Sequence, residues 1–160
     1  DRLLFITVDD IFRPIIRRND FSAQISALLN DAVFIPHLQS VAIAGSKGAN
    51  NVDCNNTGNS DNKKFCKNWK EMLLLSQLPT PSPIAIDGIP TAACTRVLIF
   101  GGQKFAAQAR LTVADKTAPP NYLEGANLAA FAVPIATTGN FSGASTFNYN
   151  SPGADLLRCL

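Results

Sequence analysis

TVDDIFRPIIRRNDFSAQISALLNDAVFIP, residues 7–36, is the longest stretch with helical spacing, and its reading decides how the rest is arranged. Ile11, Phe12, Ile15 and Ile16, then Phe21, Ile25, Leu28, Leu29 and Val33, recur at three- and four-residue intervals. Arg13, Arg17, Asp20, Gln24 and Asp31 fill the gaps. Thr7 with Asp10 makes a weak capping box, Asp9 and Asp10 suit the positive end of a helix dipole, and Pro36 is the expected stop. Pro14 lacks an N–H and its ring crowds the Asp10 carbonyl, so the helix is expected from about Asp9 with a bend at Pro14. A short turn over residues 9–12 with a helix from Pro14, or a fresh start at Asn19 or Asp20, are the other readings. A stripe this long needs a surface, and only β-like segments further along provide one.

The 160 residues predict one domain with a sizeable core. A hydrophobic fraction of 46% beside a charged fraction of 16% leaves a polar surface made of Asn, Ser, Thr and Gly, as in extracellular proteins. A formal net charge of +2 argues against nucleic acid as a partner. Lys63, Lys64, Lys67 and Lys70, beside Asp61 and Glu71, read as a solvated helix face. No run of about 18 apolar residues could span a membrane. The chain opens at Asp1 on a strand-like LLFITV (residues 3–8), which suggests a piece of a longer precursor.

Past Pro36, residues 41–44 are expected as a short strand and residues 45–63 as a long polar loop rich in Asn. Residues 65–78 read as a second helix through Trp69, Met72, Leu73 and Leu75, ended by Pro79, Pro81 and Pro83. RVLIF (residues 96–100), Gly101-Gly102 and a period-two return over residues 104–114 predict a hairpin to receive the long helix. Residues 114–125 read as a loop, 128–136 as a third strand and 145–149 as a weak fourth. The order predicts an α+β fold, a long N-terminal helix packed on an antiparallel sheet.

Cys54, Cys66, Cys94 and Cys159 include no Cys-x-x-Cys pair, and the chain has a single His, so zinc is disfavoured against two disulfides in an oxidising compartment. Of the three pairings, Cys54–Cys66 closes the polar loop and Cys94–Cys159 ties a strand to the penultimate residue. Loop closure gives them roughly 3 and 4 kcal/mol. Asp53, Asn55, Thr57 and Asp61, with Gly58 at the turn, follow the first nine positions of a calcium loop, but Lys64 stands where the bidentate Glu belongs. A clamped surface loop is preferred and no cofactor is expected. Asn55-Asn56-Thr57 and Asn140-Phe141-Ser142 match the glycosylation sequon. No catalytic set emerges: His37 has no nucleophile elbow, and Asp115 and Glu124 carry little information as an acid/base pair.

Residues 4–12 (LFITVDDIF), 119–127 (PPNYLEGAN) and 154–159 (ADLLRC) resemble segments of bacterial prepilin-type proteins, the pilin-like subunits of type IV pili and type II secretion. The resemblance implies a soluble portion whose membrane helix lies upstream in the precursor. It also implies a periplasmic or cell-surface location, partners among other pilin-like or secretion-system subunits, and no catalysis. A secreted carbohydrate- or ligand-binding module using the Asn-rich loop is the alternative.

Overall fold

The computed structural model describes residues 19–41, 48–49, 52–77, 84–87, 89–91, 94–102, 108–132, 139–146 and 155–160. The apolar stripe forms helix α1 (Asn19–Leu29), and Phe21, Ile25, Leu28 and Leu29 are all buried. The Phe21 ring meets Phe65 and Trp69 at 5.4 and 5.1 Å and Phe100 at 6.0 Å. That aromatic cluster joins α1 to a second helical layer and to the sheet.

The stripe does not run unbroken to Pro36. Asn30 folds its amide back onto the Ser26 carbonyl at 2.9 Å, and Asp31 then accepts the N–H groups of Val33 and Phe34 at 2.9 and 2.8 Å. A carboxylate taking free N–H groups starts a new helix. Helix α2 (Phe34–Ser40) therefore begins there, with Pro36 in its first turn, where a missing N–H costs nothing. The expected start near Asp9 and bend at Pro14 lie outside the described residues.

The main sheet holds β1 (Gly48–Ala49), β2 (Leu73–Gln77), β5 (Arg96–Phe100) and β7 (Leu156–Cys159), in the order β1-β2-β5-β7 and antiparallel throughout. A smaller sheet, β4-β3-β6, pairs β3 (Ile84–Ile86) antiparallel with β4 (Ile89–Thr91) and parallel with β6 (Asn140–Phe141). Asp87 turns between β3 and β4 at φ 51°. Helix α3 (Ser60–Trp69) is capped by the Asn59 side chain, which accepts from Asp61 N and Asn62 N. Helices α4 (Val113–Thr117) and α5 (Gly125–Ala132) complete the α+β fold.

Three expectations are corrected. The second helix starts at Ser60 and ends at Trp69, and after one 3-10 turn (Lys70–Met72) Leu73 and Leu75 belong to β2. Residues 73–76 are wholly buried, and an apolar run without alternation cannot be told from a buried helix by its period. The hairpin is absent over residues 108–114: β2 and β7 already flank β5, and Thr112 with Asp115 forms a capping box that starts α4. Residues 103–107 lie outside the description. The third strand is instead α5 over residues 128–132, with Ala130 and Phe131 buried. Of the weak fourth strand, Ser145 and Thr146 form a bend, while Ala144 bridges Leu156. Residues 42–44, 78–83, 133–136 and 147–149 are likewise not described.

Two disulfides, Cys54–Cys66 and Cys94–Cys159, fasten the polar loop to α3 and the approach to β5 to the last strand. They fit an oxidising, extracytoplasmic environment. Leu160 is pinned as well: its N–H donates to the Arg96 carbonyl at 2.9 Å, and its carbonyl accepts from Thr95 and Arg96. Among the described residues no helix is long and apolar enough to cross a membrane.

Candidate functional site

Strand β7 forms one edge of the main sheet, with α1 beside it and residues 144–146 beyond it. Between them lies a groove of about 390 Å³. Ile25 and Leu29 of α1 and Leu156 of β7 line it with apolar surface; Ser26, Ser145 and Arg158 add polar groups. Ser145 and Arg158 also line a second hollow of about 390 Å³, which reaches Asp87 and Gly143. Arg158 is exposed, and its guanidinium makes no hydrogen bond or ion pair with any described residue. Ala144 covers part of the β7 edge, its N–H donating to the Asp155 carbonyl and its carbonyl accepting from Leu157 N at 2.8 Å. Gly143 lies so close that an added Cβ would come within 2.5 Å of the Asp155 carbonyl oxygen.

A buried polar network stands behind this strand. Asp155, 5% exposed, accepts from Gly102 N at 3.1 Å and from Asn127 Nδ2 at 2.7 Å. Asn127 also exchanges two hydrogen bonds with the Ser142 backbone, at 2.6 and 2.7 Å. Arg110 donates through Nε to the Asn121 carbonyl at 2.7 Å and through its terminal nitrogens to Gly102 O and Gln108 Oε1. Its guanidinium lies 4.5 Å from the centre of the Tyr122 ring, in cation–π range. Gln108 in turn donates to Glu124 at 3.0 Å.

Burial pushes the Asp155 carboxyl above its ordinary range, partly offset by the Asn127 and Gly102 hydrogen bonds and the Arg110 charge. Glu124 is raised by burial and then by the Asp155 charge. The Tyr122 hydroxyl, buried with no hydrogen-bond partner among the described residues, is pushed up to about 12 by burial and by Glu71. Two raised carboxyl groups can carry a proton, but neither lines the groove. The network's physical effect is to lock residues 108–112 and the start of β7 onto one frame.

Just outside this lock, Leu111 is 78% and Val113 is 82% exposed, the largest apolar exposures among the described residues. Thr112 between them accepts from Asp115 N at 3.1 Å, while Asp115 Oδ2 accepts from Leu111 N and Thr112 N. Those hydrogen bonds, led by Thr112, hold the Asp115 carboxyl below its ordinary value. Asp115 pairs with no cation among the described residues, whereas neighbouring Lys116 reaches Glu71 at 3.1 Å.

The residues singled out from the sequence are mostly occupied internally. Asp53 accepts from Asn55 and Asn56 at 2.7 to 3.0 Å, Thr57 donates to the Asn59 carbonyl, and exposed Asp61 meets Lys64 at 3.8 Å. Hydrogen bonding, led by the Asn55 N–H, holds Asp53 below its ordinary value. Among the described residues no three His, Cys, Asp or Glu side chains gather as a metal-holding group. His37 lies 3.4 Å from the Asn56 amide, Asp115 serves the capping box, and Glu124 faces Gln108.

Sequence reasoning passed over Asp31, Gln108, Arg110, Asn127 and Asp155. Signals existed for some: Asp31 stands three residues before Phe34 in a capping relation, and Thr-x-x-Asp at residues 112–115 is a helix start. Nothing in the sequence marks Arg110 or Asp155 as buried, because their partners come from distant segments. Compared with family models, curated proteins and solved structures, the chain matches none.

Proposed function

We propose that this chain is a non-catalytic structural or accessory subunit of a type IV pilus or type II secretion pseudopilus, acting at the periplasmic or cell-surface side. The observation that carries the reading is the joining of α1 to an antiparallel sheet whose final strand is stapled by Cys94–Cys159 and pinned through Leu160. A part that stands in a filament must resist fraying at its end, and both ties serve that need. The segments that resemble prepilin-type proteins lend further support.

The alternative, a secreted binding module using the Asn-rich loop, draws less support. Several polar groups among the loop's described residues are already engaged, within it or by α1–α2: Asn59 caps α3, Gly58 N donates to Asp31, and Asp53 gathers Asn55 and Asn56. Affinity purification of the full-length chain from its own host tests the choice. Recovery of pilin-like or secretion-machine proteins supports the subunit. Recovery of a free monomer that binds a sugar with micromolar affinity supports the module.

A further inference from the structure

We infer that Asn55 is a modification site: its side-chain amide carries an N-linked oligosaccharide, and Asn140, the other sequon asparagine, does not. Both stand in an Asn-x-Ser/Thr triplet, and both side chains are exposed. The fold around each triplet separates them. An acceptor peptide must bend at its asparagine, and the hydroxyl two residues on must be available to the transferring enzyme.

The first triplet, Asn55-Asn56-Thr57, meets both conditions. Cys54 and Asn55 form a turn, which Asp53 sets by accepting the Asn55 N–H at 2.9 Å. Residues 53–58 belong to no helix or strand, and residues 58–61 are exposed, so a large enzyme has room to approach. The Thr57 hydroxyl donates to the Asn59 carbonyl at 3.2 Å, longer than an ordinary O–H···O bond. The Asn55 amide donates to Asp53 at 3.0 Å in the same exposed setting. Exposed bonds of this kind are exchanged at little net cost. Cys54–Cys66, next to the site, places the chain on the oxidising, exported route that such acceptors take.

The second triplet, Asn140-Phe141-Ser142, meets neither. Asn140 and Phe141 form the extended strand β6, in register with Ala85 and Ile86, and Phe141 is fully buried. The Ser142 hydroxyl donates to Asp87 at 2.6 Å, a short bond to a carboxylate and about twice as strong as a neutral one. Its N–H is held by Asn127 at 2.7 Å. Bending the chain at Asn140 would require β6 to leave its sheet.

The donor is a polyprenyl-diphosphate-linked oligosaccharide. The Asn55 amide nitrogen bonds to the anomeric carbon of the first sugar as that carbon's bond to the diphosphate oxygen breaks. One amide proton passes to a base of the enzyme, and the polyprenyl diphosphate leaves. The inference needs export but no filament, so it stands or falls apart from the subunit reading.

Site-resolved mass spectrometry of the full-length chain from its own host tests it, on the wild type and on Asn55→Gln, Thr57→Ala and Asn140→Gln. The wild type and Asn140→Gln should carry a sugar mass on Asn55; Asn55→Gln and Thr57→Ala should lose it. Thr57→Ala keeps Asn55 and its Asp53 partner, so loss of the glycan there marks enzymatic transfer to the triplet rather than adventitious sugar. Unreduced masses verify that both disulfides form in each variant, and occupancy of the wild type is decisive even where a variant fails to fold. A bare Asn55 in the wild type, a glycan retained by Thr57→Ala, or equal occupancy of Asn140 would overturn the inference.

Discussion

Asp31 is the side chain on which the α1–α2 junction and the disulfide loop both depend. Its carboxylate, 5% exposed, accepts from Val33 N, Phe34 N, Gly58 N and Asn62 Nδ2, the last at 2.6 Å. Replacing it with alanine removes a helix start and strands the buried Phe34 N–H and Asn62 amide. A cap is worth about 1 kcal/mol, and each buried unpaired donor costs about 1–3 kcal/mol. The expected loss for Asp31→Ala is therefore about 3–5 kcal/mol, allowing for relaxation and for water reaching Val33 and Gly58.

Urea unfolding with both disulfides intact measures it: with an m-value of about 1–3 kcal/mol/M, the midpoint should fall by at least about 1 M. Asp61→Ala, at an exposed position, should stay within about 0.5 kcal/mol. The pH dependence supplies a second check. Burial pulls the Asp31 carboxyl up, but the Asn62, Phe34, Val33 and Gly58 hydrogen bonds outweigh it and lower its pKa. A lowered folded pKa contributes stability above the unfolded value of 3.8, lost as pH falls through the folded value. The variant should thus lose part of the wild type's acid limb. A cost below about 1 kcal/mol with the acid limb unchanged would refute the reasoning, since buried donors this close to a carboxylate cannot lose it so cheaply.

Leu28→Ala, at a fully buried position of α1, should cost about 2–5 kcal/mol by denaturant unfolding, while exposed Gln24→Ala costs little. Asp155 carries the opposite sign to Asp31: its folded pKa is raised, so its contribution is full below the unfolded value and lost as pH rises through the folded one. Asp155→Asn should destabilise, because its amide would face the Asn127 amide, and should erase that part of the stability lost as pH rises from below 3.8 into the neutral range, in paired urea titrations. Millimolar calcium should leave the melting temperature unchanged, since Asp53 is engaged by its neighbours and Lys64 stands beside Asp61; a rise of several degrees reversed by chelator would show a site.

What could be read from the sequence were properties of short range. The stripe of Phe21, Ile25, Leu28 and Leu29, the RVLIF strand and the α+β class all come from local period. The hairpin over residues 104–114 failed because alternation says nothing about whether the neighbouring edge is free, and here Leu73–Gln77 and Leu156–Cys159 occupy both sides of Arg96–Phe100. Leu73 and Leu75 were misread for a related reason: burial on both faces erases the period that would have marked a strand. At the candidate site almost nothing was legible. Ile25 and Leu29 belong to the apolar stripe the sequence shows, but the groove they line exists only once Ser145, Leu156 and Arg158 are carried across more than a hundred residues to meet them. Asp155 and Arg110 are ordinary surface residue types until Gly102, Asn121 and Asn127 surround them.

Shearing tests the proposed role of the chain as a filament subunit. Surface filaments sheared from the host and pelleted at high speed should carry the full-length chain, detected by mass spectrometry of its peptides, in constant ratio to the major filament protein. Finding the chain wholly in the supernatant as a free monomer, with filaments unchanged in number when its gene is deleted, would contradict the account.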